Sequence, residues 1–217
     1  MTLQEQLDQQ KAGFMTRVLA EVQADILRLV KEQQQSGIDF GLKEGAQAPN
    51  FTLTNPLGEP ITLYDELAQG PVVLAFYRGS WCPFCNIQLR AYQQLLPEME
   101  KYGGRLIAVS PQSSDNTLSQ KEKEELTFQV LSDPNGLVAE SYNLLFELPV
   151  YLQHTYQKLG RDLTGFNNTD RWILPVPATL IIDKEHIVRR AYVDPDFMKR
   201  MEPEEIIDLL KKMNGGY

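Results

Sequence analysis

Cys82 and Cys85 are the only cysteines of the chain, and two residues separate them. They stand in the run Phe76-Tyr77-Arg78-Gly79-Ser80-Trp81-Cys82-Pro83-Phe84-Cys85. Proline favours the first position of a helix, where no backbone donor is lost, so a helix is expected to begin near Pro83 with Cys82 at or just before its N-terminus. Free N–H groups and the positive end of the helix dipole stabilise a thiolate there. Cys85 lies about one turn further on, near enough to reach back and close a small disulfide ring. Such a thiolate attacks the sulfur of a disulfide, giving a mixed disulfide, or the O–O bond of a peroxide, giving a sulfenic acid. The second thiol resolves either product, and an external reductant must then open the internal disulfide.

Other residues frame the pair. Arg78 either adds positive charge to the loop or is an exposed surface arginine, and the sequence favours neither. Trp81 and Pro83 flank Cys82; Trp81, Phe84 and Trp172 either line a site or fill the core. In Leu174-Pro175-Val176-Pro177-Ala178-Thr179-Leu180-Ile181-Ile182-Asp183, a proline after a small apolar residue and just before a strand suits a cis Val176–Pro177 bond. That bond would offer backbone groups to a substrate. The two histidines, His154 and His186, do not complete a metal site with two cysteines, so neither a metal nor a cofactor is expected. His186 falls in a tight connection and reads as a surface residue, and His154 reads as lying outside the active site.

Bulk properties narrow the setting. A chain of 217 residues, 42% of them hydrophobic, suits one domain with an appendage and buries a core without staples. Its 29 acidic and 21 basic residues leave a net charge of -8, which repels phosphate backbones, so nucleic-acid binding is not expected. The polar start MTLQEQLDQQ lacks the basic and apolar segments of a signal peptide. The longest apolar run, around 71–77, is too short to span a bilayer. The expectation is a soluble, cytoplasmic protein without a membrane partner. In that compartment a close cysteine pair is more often catalytic, redox-active or metal-binding than structural.

The elements that must position the pair follow from periodicity. Residues 1–35 hold Met15, Leu19, Val22, Ile26 and Leu29 at spacings of four and three, which predicts a helix packed on its own domain or, alternatively, on a partner. Strand signals follow at 51–54, 71–77, 103–110 and 129–132, with 61–69 reading as a strand end leading into a short helix, and helix signals fall at 84–101, 115–125 and 137–145. The stretch 146–172 reads as an inserted lobe with a helix near 149–159. Residues 177–183 and 186–193 read as an antiparallel pair joined by Lys184-Glu185, and 202–213 as a closing amphipathic helix between Pro203 and Gly215-Gly216. Alternation of strand and helix predicts an α/β fold, with a mixed central sheet flanked by helices.

EGAQAPNFTLTNPLGEPITL (44–63), VVLAFYRGSWCPFC (72–85) and LSDPNGLVAESYNL (131–144) resemble the AhpC/TSA peroxiredoxin-like family of the thioredoxin-like superfamily, and the likeness covers roughly 44–213. It implies a thioredoxin-like fold over 44–217, with 1–40 as an N-terminal helical extension, and a thiol-dependent antioxidant oxidoreductase. The implied partners are a peroxide or disulfide substrate and an external thiol reductant of thioredoxin or glutathione type, and kinship suggests a homodimer. Three positions depart from the family. Its motif proline is Arg78 here, its Thr/Ser is Cys82, and the arginine two residues ahead of Thr179 is Pro177. Pro177-Ala178-Thr179 instead resembles the cis-proline loop of thioredoxins, although their buried acid is Phe76 here. The peroxiredoxin alignment makes Cys85 the attacking thiol; helix-terminus physics and the WCxxC pattern favour Cys82. Disulfide reduction, or a non-catalytic redox-sensing interaction through the Gln-rich N-terminal helix, remain alternatives to peroxide reduction.

Overall fold

A computed structural model describes residues 1–215; Gly216 of the expected Gly215-Gly216 stop lies outside the described residues. The chain opens with α1 (Leu3–Arg17) and α2 (Ala20–Gln35), then the short strands β1 (Thr52–Thr54) and β2 (Pro60–Thr62) and α3 (Leu63–Gln69). β3 (Val72–Phe76), α4 (Pro83–Lys101), β4 (Arg105–Ser110), α5 (Ser114–Lys123), β5 (Gln129–Ser132) and α6 (Leu137–Ser141) follow. β6 (Leu145–Glu147), α7 (Val150–Lys158), α8 (Leu163–Asn167) and β7 (Ile173–Pro175) make up the inserted lobe. β8 (Ala178–Ile182), β9 (Val188–Val193) and α9 (Pro203–Met213) close the fold.

The five-stranded sheet runs β5-β4-β3-β8-β9. β3 is parallel to β4, and β4 to β5, while β8 lies antiparallel to β3 and β9 antiparallel to β8. This is the mixed sheet expected of the thioredoxin-like fold. All five residues of β3 and of β8 are buried, which explains why both read as continuous apolar runs rather than alternating ones. The register pairs Ala75 with Thr179 and Phe76 with Ala178, so the loop after β3 and the Pro177 segment emerge side by side at one end of the sheet.

The N-terminal stretch forms two helices rather than one. Val18 and Leu19 are extended, and the side-chain amide of Gln23 donates to the Met15 and Val18 carbonyls at 2.8 and 2.6 Å. A single helix over 1–35 would run about 50 Å; breaking it lets α1 pack on α4 and α2 on α7. Leu3, Leu7, Val22, Ile26, Leu29 and Val30 are thereby buried in the same cluster as Val73, Phe84 and Leu89, whereas Leu19, placed in the expected stripe, is 70% exposed at the break. Thr2 and Glu5 form a capping box on α1. Glu202, the residue just before α9, accepts from the Leu3 and Gln4 N–H groups at 3.0 and 2.7 Å.

Two other expectations are corrected. No peptide bond among the described residues is cis, so Val176–Pro177 is trans. The chain runs on from the β6–β7 pair through Val176, whose N–H donates to the Leu144 carbonyl at 2.8 Å, into β8, and a trans linkage continues that path. α6 stops at Ser141, short of the expected 145, because the chain turns at Asn143, with φ of +54°, to enter β6.

If α1 is part of the core, Leu7→Ala should lower unfolding free energy by about 2–4 kcal/mol. Denaturant titration would measure this; a loss under 0.5 kcal/mol would make α1 a dispensable appendage.

Candidate active site

Cys82 is the N-cap of α4 and Pro83 its first residue, as the sequence pattern predicts. The Cys85 and Asn86 N–H groups donate to the Cys82 carbonyl at 3.1 and 3.2 Å, and the Cys82 N–H donates to the Gly79 carbonyl at 3.1 Å. Gly79 holds a φ of +134°, and a Cβ there would lie 2.6 Å from Trp81 Nε1, so only glycine fits this turn. Both cysteines are reduced and buried, Cys82 2% and Cys85 0% exposed.

A network of polar side chains fixes the loop. The Ser80 N–H donates to Gln112 Oε1 at 2.9 Å, and Asn86 Nδ2 to the Ser80 carbonyl at 2.7 Å. Gln120 Nε2 donates to Asn86 Oδ1, and Gln120 Oε1 accepts from the Tyr77 hydroxyl and from Gln112 Nε2, all at 2.8 Å. Gln112 and Gln120 are both buried. Sequence reading missed them: the α5 segment carries so many charges that its inward face, with Thr117 and Gln120, has no apolar period to reveal it.

Two guanidinium groups enter this buried region. Arg78 is only 3% exposed, which overturns its reading as a surface arginine. Its Nη2 donates to the Tyr156 hydroxyl, and its charge sits 4.0 Å from the Phe197 ring centre and 4.9 Å from that of Trp81. Arg200, 4% exposed, comes from the connection between β9 and α9. Its Nη2 lies 3.4 Å from Cys85 Sγ and its Nε donates to Gln88 Oε1 at 2.7 Å. Its Nη1 donates to the Phe197 and Lys199 carbonyls. Sequence reading missed Arg200 because its neighbours, Met198-Lys199-Arg200-Met201, read as ordinary loop. No carboxylate pairs with either arginine among the described residues; the ion pairs there all involve other groups.

The thiols respond to these charges. Burial by itself raises the Cys82 thiol. The hydrogen bond from Cys85, the charges of Arg78 and Arg200 and the Cys85 N–H outweigh it and bring Cys82 down to about 5. Cys85 is pushed well up by burial, by the hydrogen bond it gives Cys82 and by the neighbouring negative charge, against the pull of Arg200 and Arg78. The pair therefore holds one proton, on Cys85, and one thiolate, on Cys82.

The other expected residues fall in different places. Trp81 is half-buried beside Cys82 and meets Tyr156 edge-on at 5.7 Å. Pro83 is exposed. Thr179 is buried, and its hydroxyl is engaged by Tyr92 at 3.0 Å and by Gln88 Nε2 at 3.2 Å. It thus acts on the pair only through Gln88 and Arg200. Pro177 is buried just ahead of β8. Phe84 packs edge-on against Phe197 at 5.7 Å, and Trp172 packs against the main core. His154 is exposed on α7, and His186 stacks on Tyr64 at 3.6 Å. Among the described residues no group of three or more His, Cys, Asp or Glu is arranged to hold a metal, and no helix is long and apolar enough to cross a membrane. A cleft of about 630 Å³ is lined by Gly70, Asp183, Arg189 and Asn214, among others, at the end of β3 away from the cysteines.

Cys82 thiolate absorbance should persist on acidification to near pH 6 and disappear as pH falls through about 5. Arg78→Gln should move that midpoint upward, because it removes a cation that favours the charged form. A titration in which the variant and the parent coincide would mean that Arg78 has no electrostatic role.

With the geometry in place, relatives can be compared. The chain is 27% identical over 177 residues to thioredoxin-like protein YneN of Bacillus subtilis, covering 82% of this chain and 86% of that protein. It is 26% identical over 180 residues to the chloroplastic peroxiredoxin Q of Sedum lineare, covering 83% and 82%. Among solved structures it resembles peroxidoxin BcpB of Mycobacterium tuberculosis, with a TM-score of 0.62, 21% identity, and 79% and 98% of the two chains covered. Residues 45–191 match the AhpC/TSA family, and the chain belongs to that family.

Proposed function

We propose that the protein reduces peroxides through a Cys82–Cys85 dithiol/disulfide cycle, with Cys82 attacking and Cys85 resolving. As a member of the AhpC/TSA family related to peroxiredoxins Q, it is a thiol-dependent antioxidant oxidoreductase. The observation that carries the assignment of roles is the N-terminus of α4. There Cys82 occupies the cap and holds the negative charge.

The cycle follows from those positions. The Cys82 thiolate attacks one peroxide oxygen, the O–O bond breaks, and the leaving alkoxide takes a proton and departs as alcohol or water. Cys82 is left as a sulfenic acid. The Cys85 sulfur then attacks the Cys82 sulfur; the S–S bond forms, and hydroxide leaves as water with the Cys85 proton. An external thiol reductant of thioredoxin or glutathione type returns both thiols, in keeping with a reducing, cytoplasmic setting. Arg78, Trp81 and Pro83 belong to the Cys82 side, while Thr179, two residues after Pro177, is linked to Cys85 through Gln88 and Arg200. Residues 44–217 carry the chemistry, 1–40 act as an added helical cover, and kinship suggests a homodimer.

A second reading, disulfide reduction, is favoured by the WCxxC spacing and by the likeness to a thioredoxin-like protein. A sensor working through the N-terminal helices has less support, since the apolar faces of α1 and α2 are turned into the chain's own core.

Stopped-flow mixing of the reduced protein with hydrogen peroxide and, separately, with a model disulfide distinguishes these readings. Peroxide should consume the thiolate at least about a hundredfold faster than it consumes free cysteine, the gain expected of a positioned, charge-stabilised nucleophile. Equal rates would reject the peroxidase, and many turnovers with a thioredoxin-type donor would reject the sensor. Cys82→Ser should abolish peroxide consumption, whereas Cys85→Ser should retain the first step and stop at the sulfenic acid. The reverse pattern would exchange the two roles.

A further inference from the structure

The two buried arginines are not equivalent. Arg78 follows β3 directly and is held by the Tyr156 hydroxyl and by the faces of Trp81 and Phe197. Arg200 reaches the pair from the far end of the chain, and the sulfur within its hydrogen-bond reach is that of Cys85, at 3.4 Å. Three acceptors tie its guanidinium down: Gln88 Oε1 and the Phe197 and Lys199 carbonyls. Gln88 is itself fixed by donating to Thr179 Oγ1 at 3.2 Å, and Thr179 meets Tyr92, whose hydroxyl donates to the Met201 carbonyl at 3.0 Å. A buried guanidinium without a carboxylate, aimed at one sulfur and anchored on three sides, is placed to stabilise negative charge on that sulfur.

That sulfur carries a proton in the resting pair and must shed it to close the disulfide. Burial opposes the loss, and the charged groups facing Cys85 are Cys82, Arg200 and Arg78. Once Cys82 has become a neutral sulfenic acid, the negative charge that held the Cys85 proton is gone, and Arg200 remains in contact.

We propose that Arg200 is a catalytic residue of the resolving step, stabilising Cys85 as a thiolate while it attacks the sulfenic sulfur of Cys82. The proposal rests on the reading that Cys82 attacks first. In the step, the Cys85–Cys82 S–S bond forms, the S–O bond of the sulfenic acid breaks, and the hydroxide takes up the Cys85 proton to leave as water. Thr179 and Gln88 are positioning residues: they orient the guanidinium and touch neither sulfur in this arrangement.

Rapid mixing with hydrogen peroxide, combined with a sulfenic-acid trap read by mass spectrometry, separates the two steps. In Arg200→Gln, peroxide attack should slow less than disulfide closure, because the Cys85 hydrogen bond and Arg78 still favour the Cys82 thiolate. Disulfide closure should slow about tenfold or more, the loss expected for one charge-assisted hydrogen bond in a transition state. Trapped sulfenic acid and further oxidation of Cys82 should rise accordingly, and Arg200→Lys should restore part of the closure rate. In a Cys82→Ser background, the Cys85 pKa should rise by about one unit on Arg200→Gln, a readout that a purely structural role would not move. If the Gln variant does not fold, Gln88→Leu, which frees the Arg200 Nε, should give the same imbalance in smaller degree. Unchanged closure, or loss concentrated in the first step, would overturn the proposal. Failure of the underlying reading looks different: Cys85→Ser alone would then abolish peroxide attack.

Discussion

Two guanidinium groups are buried near two thiols and, among the described residues, pair with no carboxylate, and the site is organised around that condition. Removing an ion from water costs several kcal/mol unless a countercharge accompanies it. Arg78 and Arg200 find theirs in the cysteine pair, so ionisation of one thiol is a requirement of the core rather than an accident of the helix terminus. The dipole of α4 and the N–H groups at its start act in the same direction. Together they explain how a cysteine only 2% exposed is charged at neutral pH when burial alone would keep it protonated.

Holding those charges draws in parts of the chain that composition would class as accessory. Tyr156, which accepts from Arg78, lies on α7 of the inserted lobe. α7 is clasped by α2: Thr155 donates to Asp25, Tyr151 donates to Glu32 at 2.8 Å, and Arg28 lies 4.0 Å over the Tyr151 ring. Phe197 and Arg200 come from the connection into α9. The AhpC/TSA scaffold supplies β3, the loop and α4, and elements from both ends of the sequence supply the electrostatics.

The layout was legible wherever one physical signal dominated. Continuous apolar runs marked β3 and β8 because both lie in the middle of the sheet, and Pro83 marked the start of α4. What stayed hidden depends on distance in sequence. Gln112 and Gln120 are polar residues that face inward only because Tyr77, Asn86 and Ser80 wait there to bond them, and no local pattern records that. Arg200 lies 115 residues from the sulfur it touches. The break at Val18–Leu19 was missed for a related reason: apolar spacing continues smoothly through it, while the two helices it separates pack on different partners. The expected cis proline came from its place after a small apolar residue and just before a strand; the preceding β6–β7 pair, which no local pattern records, leads the chain in by another route.

The carboxylate of Glu202 closes the N-terminus of α1 across 198 residues of chain. During synthesis the acceptor leaves the ribosome roughly 10–40 s after α1, at 5–20 residues per second. Through that interval Leu3 and Leu7 have neither α4 nor the cap in final position, and their apolar face is open to other chains. Capping of α1 thus waits for residue 202 and joins two segments far apart in the chain. The same connection carries Phe197 and Arg200, so a nascent chain acquires its second guanidinium only after residue 200 has emerged.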